Sequence, residues 1–317
     1  MGRVRVSRHR LVPPPVAVKL AGRLGNQLFH FAVARTIQGN DGPVQLDSRF
    51  LRPEWRGLLK GCLRPEAYRE VSNYDLVRLN QAPRMPAGTI RAARALEFAL
   101  QRLGVNDKYV FKERVGEGFD SRITGVTAPV WLSGVFNDER YFSAAAPAVR
   151  AGFASPSVAV RDWVAQCRRG AAGRPIVAVG FRHSADYASL GWALPDSYYR
   201  DAVRALPDVP EAYAWAVFGD EREPNVATAR SVLGKSVTLF TAHELSPADQ
   251  LNAMSLFETL IIPNSTFSWW AAWLADFDTG ARVIAPKPWV YFDNELIPDR
   301  WISIQREGGL IRPPRAS

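Results

Sequence analysis

Short apolar runs alternate with amphipathic stretches along most of the chain. Residues 16–20 and 44–47 are compact runs of buried-strand type, and 28–37 between them has helical spacing. Residues 50–125 are less regular, with helical spacing at 90–103, and 131–136 begins another buried element. From 176 onward the alternation is clear. Strands are expected at 176–181, 213–218, 258–262 and 282–285, and helices at 197–205, 248–257 and 267–275. Such alternation predicts mostly parallel sheets with helices on both faces. A chain of 317 residues is long for one core and suits two domains. The expected N-terminal α/β domain covers 16–150 and the C-terminal one 172–304, with the junction in the small, polar and Gly-rich stretch 143–175. The basic, Pro-rich arm 1–15 is expected to be disordered and the tail 305–317 mobile.

Three strand ends carry chemistry. The strand TLII (259–262) runs into Pro263-Asn264, and then Ser265, Thr266 and Ser268 supply hydroxyls where a helix begins. Such residues cap helix starts, and the N–H groups and dipole of that turn suit an anion. Trp269, Trp270 and Trp273 follow with a large apolar payload, so the segment reads either as a capped core helix or as a phosphate site. The strand at 16–20 enters AGRLGNQ, in which Gly22 and Gly25 allow close backbone approach. This is neither the dinucleotide fingerprint nor the P-loop. The strand at 176–181 ends in Arg182, His183 and Asp186: a cation, a titratable ring and a carboxylate. Open α/β sheets bind ligands at such ends.

Read in order, these blocks resemble the bacterial and animal α-1,2-fucosyltransferases. The family pattern G-G-L-G-N-Q-[ML]-F-Q-[YF]-A is similar to GRLGNQLFHFA at 22–32, and G-Y-x-Q-x-x-K-Y-F to GVFNDERYF at 134–142. H-x-R-R-x-D-Y resembles GFRHSADY at 180–187. L-x-x-x-Y-Y-x-x-A-[IV] resembles LPDSYYRDAV at 194–203, and [VF]-F-S-D-[DE] resembles VFGDE at 217–221. N-S-[ST]-F-S-W-W-A-A-W is matched letter for letter at 264–273, and VIAPKPW closes the series at 283–289. The resemblance spans about 16–292. It implies a GT-B fold of two facing Rossmann-like domains, with inverting transfer of L-fucose from GDP-fucose to the 2-hydroxyl of a galactoside in a surface glycan. It also implies metal-independent action.

Carried over residue by residue, the resemblance gives Arg182 the leaving phosphate, supported by Gly22, Gly25 and Asn26 and by Asn264, Ser265 and Thr266. Asp220 would line the nucleotide pocket. Asp186 is the first candidate for the base that takes the acceptor proton and His183 the second, with Asn26 positioned to touch donor or acceptor. Two departures stand out: Gly180 replaces the family's first His, and His183 replaces its second Arg, with one extra residue before Asp186. An imidazole stabilises phosphate less than a guanidinium at neutral pH. The alternatives are therefore the same fold using another nucleotide sugar, or a non-catalytic glycan-binding relic.

Composition narrows the remaining classes. There is no apolar run of membrane-spanning length, and the N-terminus has no apolar core of signal-peptide type. Cys62 and Cys167 give no disulfide framework and fit a reducing cytoplasm. Four His residues lack metal-ligand spacing, and His30 reads as packed or bonded rather than catalytic. Asp276-Phe277-Asp278 has the Asp-x-Asp form used elsewhere for metals, but it ends a helix rather than a buried strand. The net charge of +9 and pI of 9.8 come from arginines spread throughout, without the basic stripe of a nucleic-acid binder. The surplus suits a diphosphate donor and peripheral contact with an anionic membrane carrying a glycolipid acceptor.

Overall fold

A computed structural model describes residues 15–40, 42–71, 110–114, 118–290, 296–307 and 310–312. The expected stretch at 90–103 lies outside them. The first sheet contains Val16–Lys19 (β1), Val44–Asp47 (β2), Tyr68–Glu70 (β3), Val110–Lys112 (β4) and Val130–Ser133 (β5). Its order is β3-β2-β1-β5-β4, with every pair parallel. The second sheet contains Ile176–Phe181 (β6), Ala214–Gly219 (β7), Thr238–Thr241 (β8), Thr259–Ile261 (β9), Arg282–Lys287 (β10), Ile302–Gln305 (β11) and Leu310–Arg312 (β12). Its order is β12-β11-β10-β9-β6-β7-β8, parallel except for the antiparallel β11–β12 edge. The central strands are apolar because both their faces are covered: Val16, Ala17 and Val18 in β1, and Val177, Ala178 and Val179 in β6, are all buried.

Helices supply that cover: Leu24–Gln38 (α1), Ala146–Ala151 (α2), Val158–Ala171 (α3), Ala185–Ser189 (α4), Asp196–Arg204 (α5), Arg222–Leu233 (α6), Pro247–Met254 (α7) and Thr266–Thr279 (α8). These are two parallel-sheet α/β units, the GT-B arrangement expected from the sequence. They share a core where α1 meets α8. The Phe29 ring lies 4.8 Å from Trp269 and 4.9 Å from Trp270, and Phe142 stacks on Trp270 at 5.2 Å. Losing one such buried aromatic costs about 3–5 kcal/mol. Arg300 pairs with Glu139 and Asp276, and Arg150 with Asp278, binding the same seam from outside.

Several elements go beyond the sequence expectation, among them α3, which occupies Val158–Ala171 within the stretch read as the junction. Helix α6 buries only Asn225, Ala229 and Leu233, a single thin line of every fourth residue that apolar periodicity does not register. Strand β8 is half-buried along its length and sits at a sheet edge. The C-terminal sheet also runs past residue 304, because residues 310–312 of the tail form β12 and pair with β11.

Candidate active site

A cleft of about 1370 Å3 separates the two units at the C-terminal ends of their central strands. Two helix starts meet there. Helix α1 begins after Gly22, whose φ of 70° is of the left-handed kind that glycine adopts freely. A Cβ on Gly22 would also stand 2.5 Å from Asn26 Nδ2. Gly25 is constrained from the other unit: a Cβ there would lie 2.4 Å from the backbone nitrogen of Phe267 and the carbonyl carbon of Thr266. Only glycine lets α1 and α8 approach this closely. Thr266 Oγ1 then donates to Asn26 Oδ1 at 2.9 Å, joining the two helix starts directly.

The hydroxyls near α8 do not cap it as the sequence suggested. Ser265 is the N-cap residue, in extended conformation, and its side chain accepts no N–H from the first turn. Arg23, the N-cap of α1, makes no capping bond either. Gly25, Asn26, Thr266 and Phe267 line the cleft. Two first turns without side-chain acceptors, each at the positive end of a helix dipole, therefore converge on one volume.

The C-terminal wall adds a fixed cation. Arg182 follows β6, and its Nε lies 3.3 Å from Asp220 Oδ2, just beyond β7. The same carboxylate accepts the backbone N–H groups of His183 and Ser184, each at 3.1 Å. The guanidinium lies over the Tyr187 ring at 4.5 Å, and the Tyr187 hydroxyl donates to the Asn264 carbonyl at 3.0 Å. Asn264 Nδ2 donates to the Trp192 carbonyl at 2.8 Å. The ends of β6, β7 and β9 are thus tied together around one arginine.

Of the residues singled out from the sequence, Gly22, Gly25, Asn26, Arg182, Asp220, Ser265 and Thr266 all line this cleft. Asn264 is buried beneath it and holds the turn. His183 is turned away. Its Nε2 lies 3.1 Å from Thr228 Oγ1 on α6, its ring runs parallel to Phe181, and it forms no part of the cleft lining. As placed, it is not positioned to act as a base in the cleft. Asp186 lies in the backbone of α4, next to the cleft residue Tyr187. Gly180 has a packing reason: a Cβ there would meet Pro263 at 2.7 Å, so the larger family residue does not fit beneath the α8 turn.

Sequence reasoning missed the rest of the N-terminal wall, beyond the glycine turn. Trp55, Asn137 and Glu113 line it. Glu113 follows β4, and the apolar run 109–111 ahead of it carries the same strand-end signal that picked out Arg182. Its Oε2 accepts the N–H groups of Val135 and, at 2.9 Å, Phe136; its Oε1 accepts the Tyr141 hydroxyl at 2.7 Å. Burial raises the Tyr141 pKa, keeping that donor protonated. Behind this wall, buried His30 links two loops. Its Nδ1 accepts from the Ala21 N–H at 3.4 Å, and its Nε2–H donates to the Gly134 carbonyl at 3.0 Å. Desolvation lowers its pKa to about 4, so the ring is neutral and bonded, as its place in the sequence suggested.

Asp276 and Asp278 are committed to Arg300 and Arg150, and no cluster of three His, Cys, Asp or Glu that could hold a metal occurs among the described residues. No helix among them is long and apolar enough to cross a membrane.

No protein-family model matches the chain. Over 309 residues, 92% of this chain and 99% of the other, it is 26% identical to an alpha-1,2-colitosyltransferase of Escherichia coli. Over 117 residues, 35% of this chain and 37% of the other, it is 32% identical to the O-antigen biosynthesis glycosyltransferase WbnK of Escherichia coli. Among solved structures, the fucosyltransferase NodZ from Bradyrhizobium aligns with 82% of this chain and 93% of its own, at 14% identity and a TM-score of 0.46. The chain is thus a relative of bacterial glycosyltransferases, similar to one of them over nearly its whole length, and glycosyltransferase activity is supported.

Proposed function

We propose that the chain transfers L-fucose from GDP-fucose, with inversion, to the 2-hydroxyl of a galactoside in a bacterial surface glycan. The observation that carries this reading is the convergence of two uncapped helix starts and Arg182 on one cleft. Displacing a nucleoside diphosphate from an anomeric carbon develops negative charge on the leaving phosphate. Preorganised N–H groups and a fixed guanidinium stabilise that charge most where it develops, and one such contact is worth about 3–4 kcal/mol of barrier. Asp220 serves by positioning Arg182 rather than by reaching the nucleotide, because its oxygens are engaged by Arg182, His183 and Ser184. The letter-for-letter block at 264–273 and the α-1,2 linkage named for the colitosyltransferase relative support the family and linkage.

A second reading changes only the donor sugar. The same relative is named for colitose, a sugar that differs from fucose by one missing hydroxyl, and the chain departs from the fucosyltransferase pattern at Gly180 and His183. The test is release of GDP by purified protein in EDTA, with GDP-fucose and GDP-colitose offered separately against a panel of galactosides. Acceptor-dependent release from GDP-fucose supports the first reading, and release from GDP-colitose alone moves the assignment to the second. Release from neither, with no GDP binding, defeats both. Turnover that requires a divalent cation would overturn the metal-independent form of the proposal.

A further inference from the structure

The C-terminal wall of the cleft has two ends, one on each side of Arg182. Asp220 and Gln250 lie toward β7 and β8, whereas Tyr187, Trp192 and Trp289 lie toward β10. The first end offers hydrogen-bonding groups and the second is aromatic. Trp289 is buried, but Trp192 is only half-buried at the cleft. The Arg182 guanidinium stands 4.5 Å from the Tyr187 ring, and Trp192 meets the far side of that ring edge-on at 5.6 Å. The indole is therefore one aromatic ring away from the cation assigned to the leaving phosphate, about the span of a sugar attached there.

The backbone around Trp192 is held with unusual care for a surface loop. Arg306, just past β11, is 1% exposed. Its guanidinium donates to the carbonyls of Gly191 at 3.0 Å and Ala193 at 3.4 Å, the two residues that flank Trp192, and to the Trp289 carbonyl at 3.3 Å. The Trp192 carbonyl accepts from Asn264 at 2.8 Å, and its N–H donates to the Tyr187 carbonyl at 2.9 Å. Burying a guanidinium is costly, and bonds to carbonyls offset that cost. What they hold here is not core, since Leu190, Gly191 and Ala193 are all exposed. The part of the loop that gains a fixed position is the indole at the cleft.

We propose that Trp192 is the wall against which the transferred sugar packs, selecting pyranoses that lack a 6-hydroxyl, and that Arg306 is the positioning residue that holds it there. The proposal rests on the reading of the donor given above. Fucose and colitose both carry a methyl group at C5 in place of a hydroxymethyl, which gives the ring an apolar edge. An indole face complements that edge and leaves an added hydroxyl without a hydrogen-bond partner, a costly state once the sugar is enclosed. Arg306 reaches no substrate; it acts through the two carbonyls on either side of Trp192.

The test measures kcat/KM for the donor that gives turnover and for its counterpart bearing a 6-hydroxyl, GDP-L-galactose in the case of GDP-fucose. The proteins compared are the parent, Trp192→Ala, Arg306→Met and Arg306→Lys, and each is also titrated calorimetrically with GDP. The parent is expected to favour the 6-deoxy donor by about 10- to 100-fold, the scale on which an apolar pocket rejects an added hydroxyl. Trp192→Ala should bring that ratio close to one with GDP affinity unchanged. Arg306→Met should lower the ratio in the same direction, and Arg306→Lys, which keeps a cationic donor, should fall between it and the parent. An Arg306 that merely supports the fold would lower both kcat/KM values together and leave the ratio at the parent's, which would overturn its positioning role. Should Arg306→Met not fold, Arg306→Lys carries the same comparison. A ratio unchanged in Trp192→Ala overturns the sugar wall, and so does a loss of GDP affinity in that variant, which would assign the indole to the nucleobase. Turnover without discrimination in the parent defeats this inference alone, whereas a parent that releases no GDP from any donor defeats the proposed function itself.

Discussion

The two helix starts that meet in the cleft are built differently. Helix α8 begins on a turn whose buried Asn264 is held from two sides, by Tyr187 and by Trp192, and its indoles pack into the core shared by both units. Helix α1 begins on a glycine turn that depends on more remote supports: His30 from within its own helix, Gln27 to Trp55, and the Thr266–Asn26 bond from α8. The C-terminal start is a rigid platform, and the N-terminal start takes part of its position from that platform. Charge is divided in a similar way. The C-terminal wall holds its cation against a carboxylate, whereas the N-terminal wall holds a carboxylate through neutral donors. That division suits a donor phosphate on one side and a hydroxyl nucleophile on the other.

The largest expected effect comes from removing the platform's cation. Arg182→Ala should raise the barrier by about 3–4 kcal/mol, a loss of two to three orders of magnitude in kcat. Melting temperature should change little, since the side chain lies at the cleft rather than in the core. Steady-state kinetics beside a thermal melt separates the two effects. Forcing the helix starts apart comes next. Gly25→Ala places a methyl against the Thr266–Phe267 backbone, which cannot move aside as a flexible side chain could. Overpacking of this kind costs about 1–3 kcal/mol of stability, and GDP affinity should fall with it.

A pH titration probes the dependent side of the comparison. His30 has a folded pKa of about 4, below its usual 6.5, so the unfolded chain binds its proton first as pH falls. Its contribution is fully present above pH 6.5 and is lost as pH falls toward 4, on the order of 3 kcal/mol at most. Chemical denaturation of the parent protein and of His30→Gln, at several pH values across that window, should show a steeper fall for the parent. Equal slopes would remove His30 as the cause. The smallest effect is expected for Thr266→Val, which removes the hydroxyl bond to Asn26. It should cost about 1 kcal/mol and affect donor affinity more than stability.

How much of this was legible in the sequence depends on where each signal lies. The segment at 264–273 could be read because a strand, a turn, hydroxyls and an apolar helix follow one another within a few residues. The strand-end arginine at 182 and the glycine turn at 22–25 were legible on the same logic. The direction of the His183 ring was not, since it is set by Thr228 on a helix whose single buried line escaped the apolar pattern. The failure of Ser265 to cap α8 was also hidden: residue type permits a cap, but the backbone of this turn leaves it unused. Glu113 stands out only once the loop at 135–141 folds against it, a contact more than twenty residues away in sequence.

The central claim is that the paired helix starts and Arg182 hold the donor's phosphates, and calorimetric titration with GDP and with guanosine tests it most directly. The account predicts that GDP binds at least about 100-fold more tightly than guanosine, a difference near 3 kcal/mol, and that Arg182→Ala removes most of that gap. Equal affinity for GDP and guanosine, or a gap that survives loss of Arg182, would contradict it.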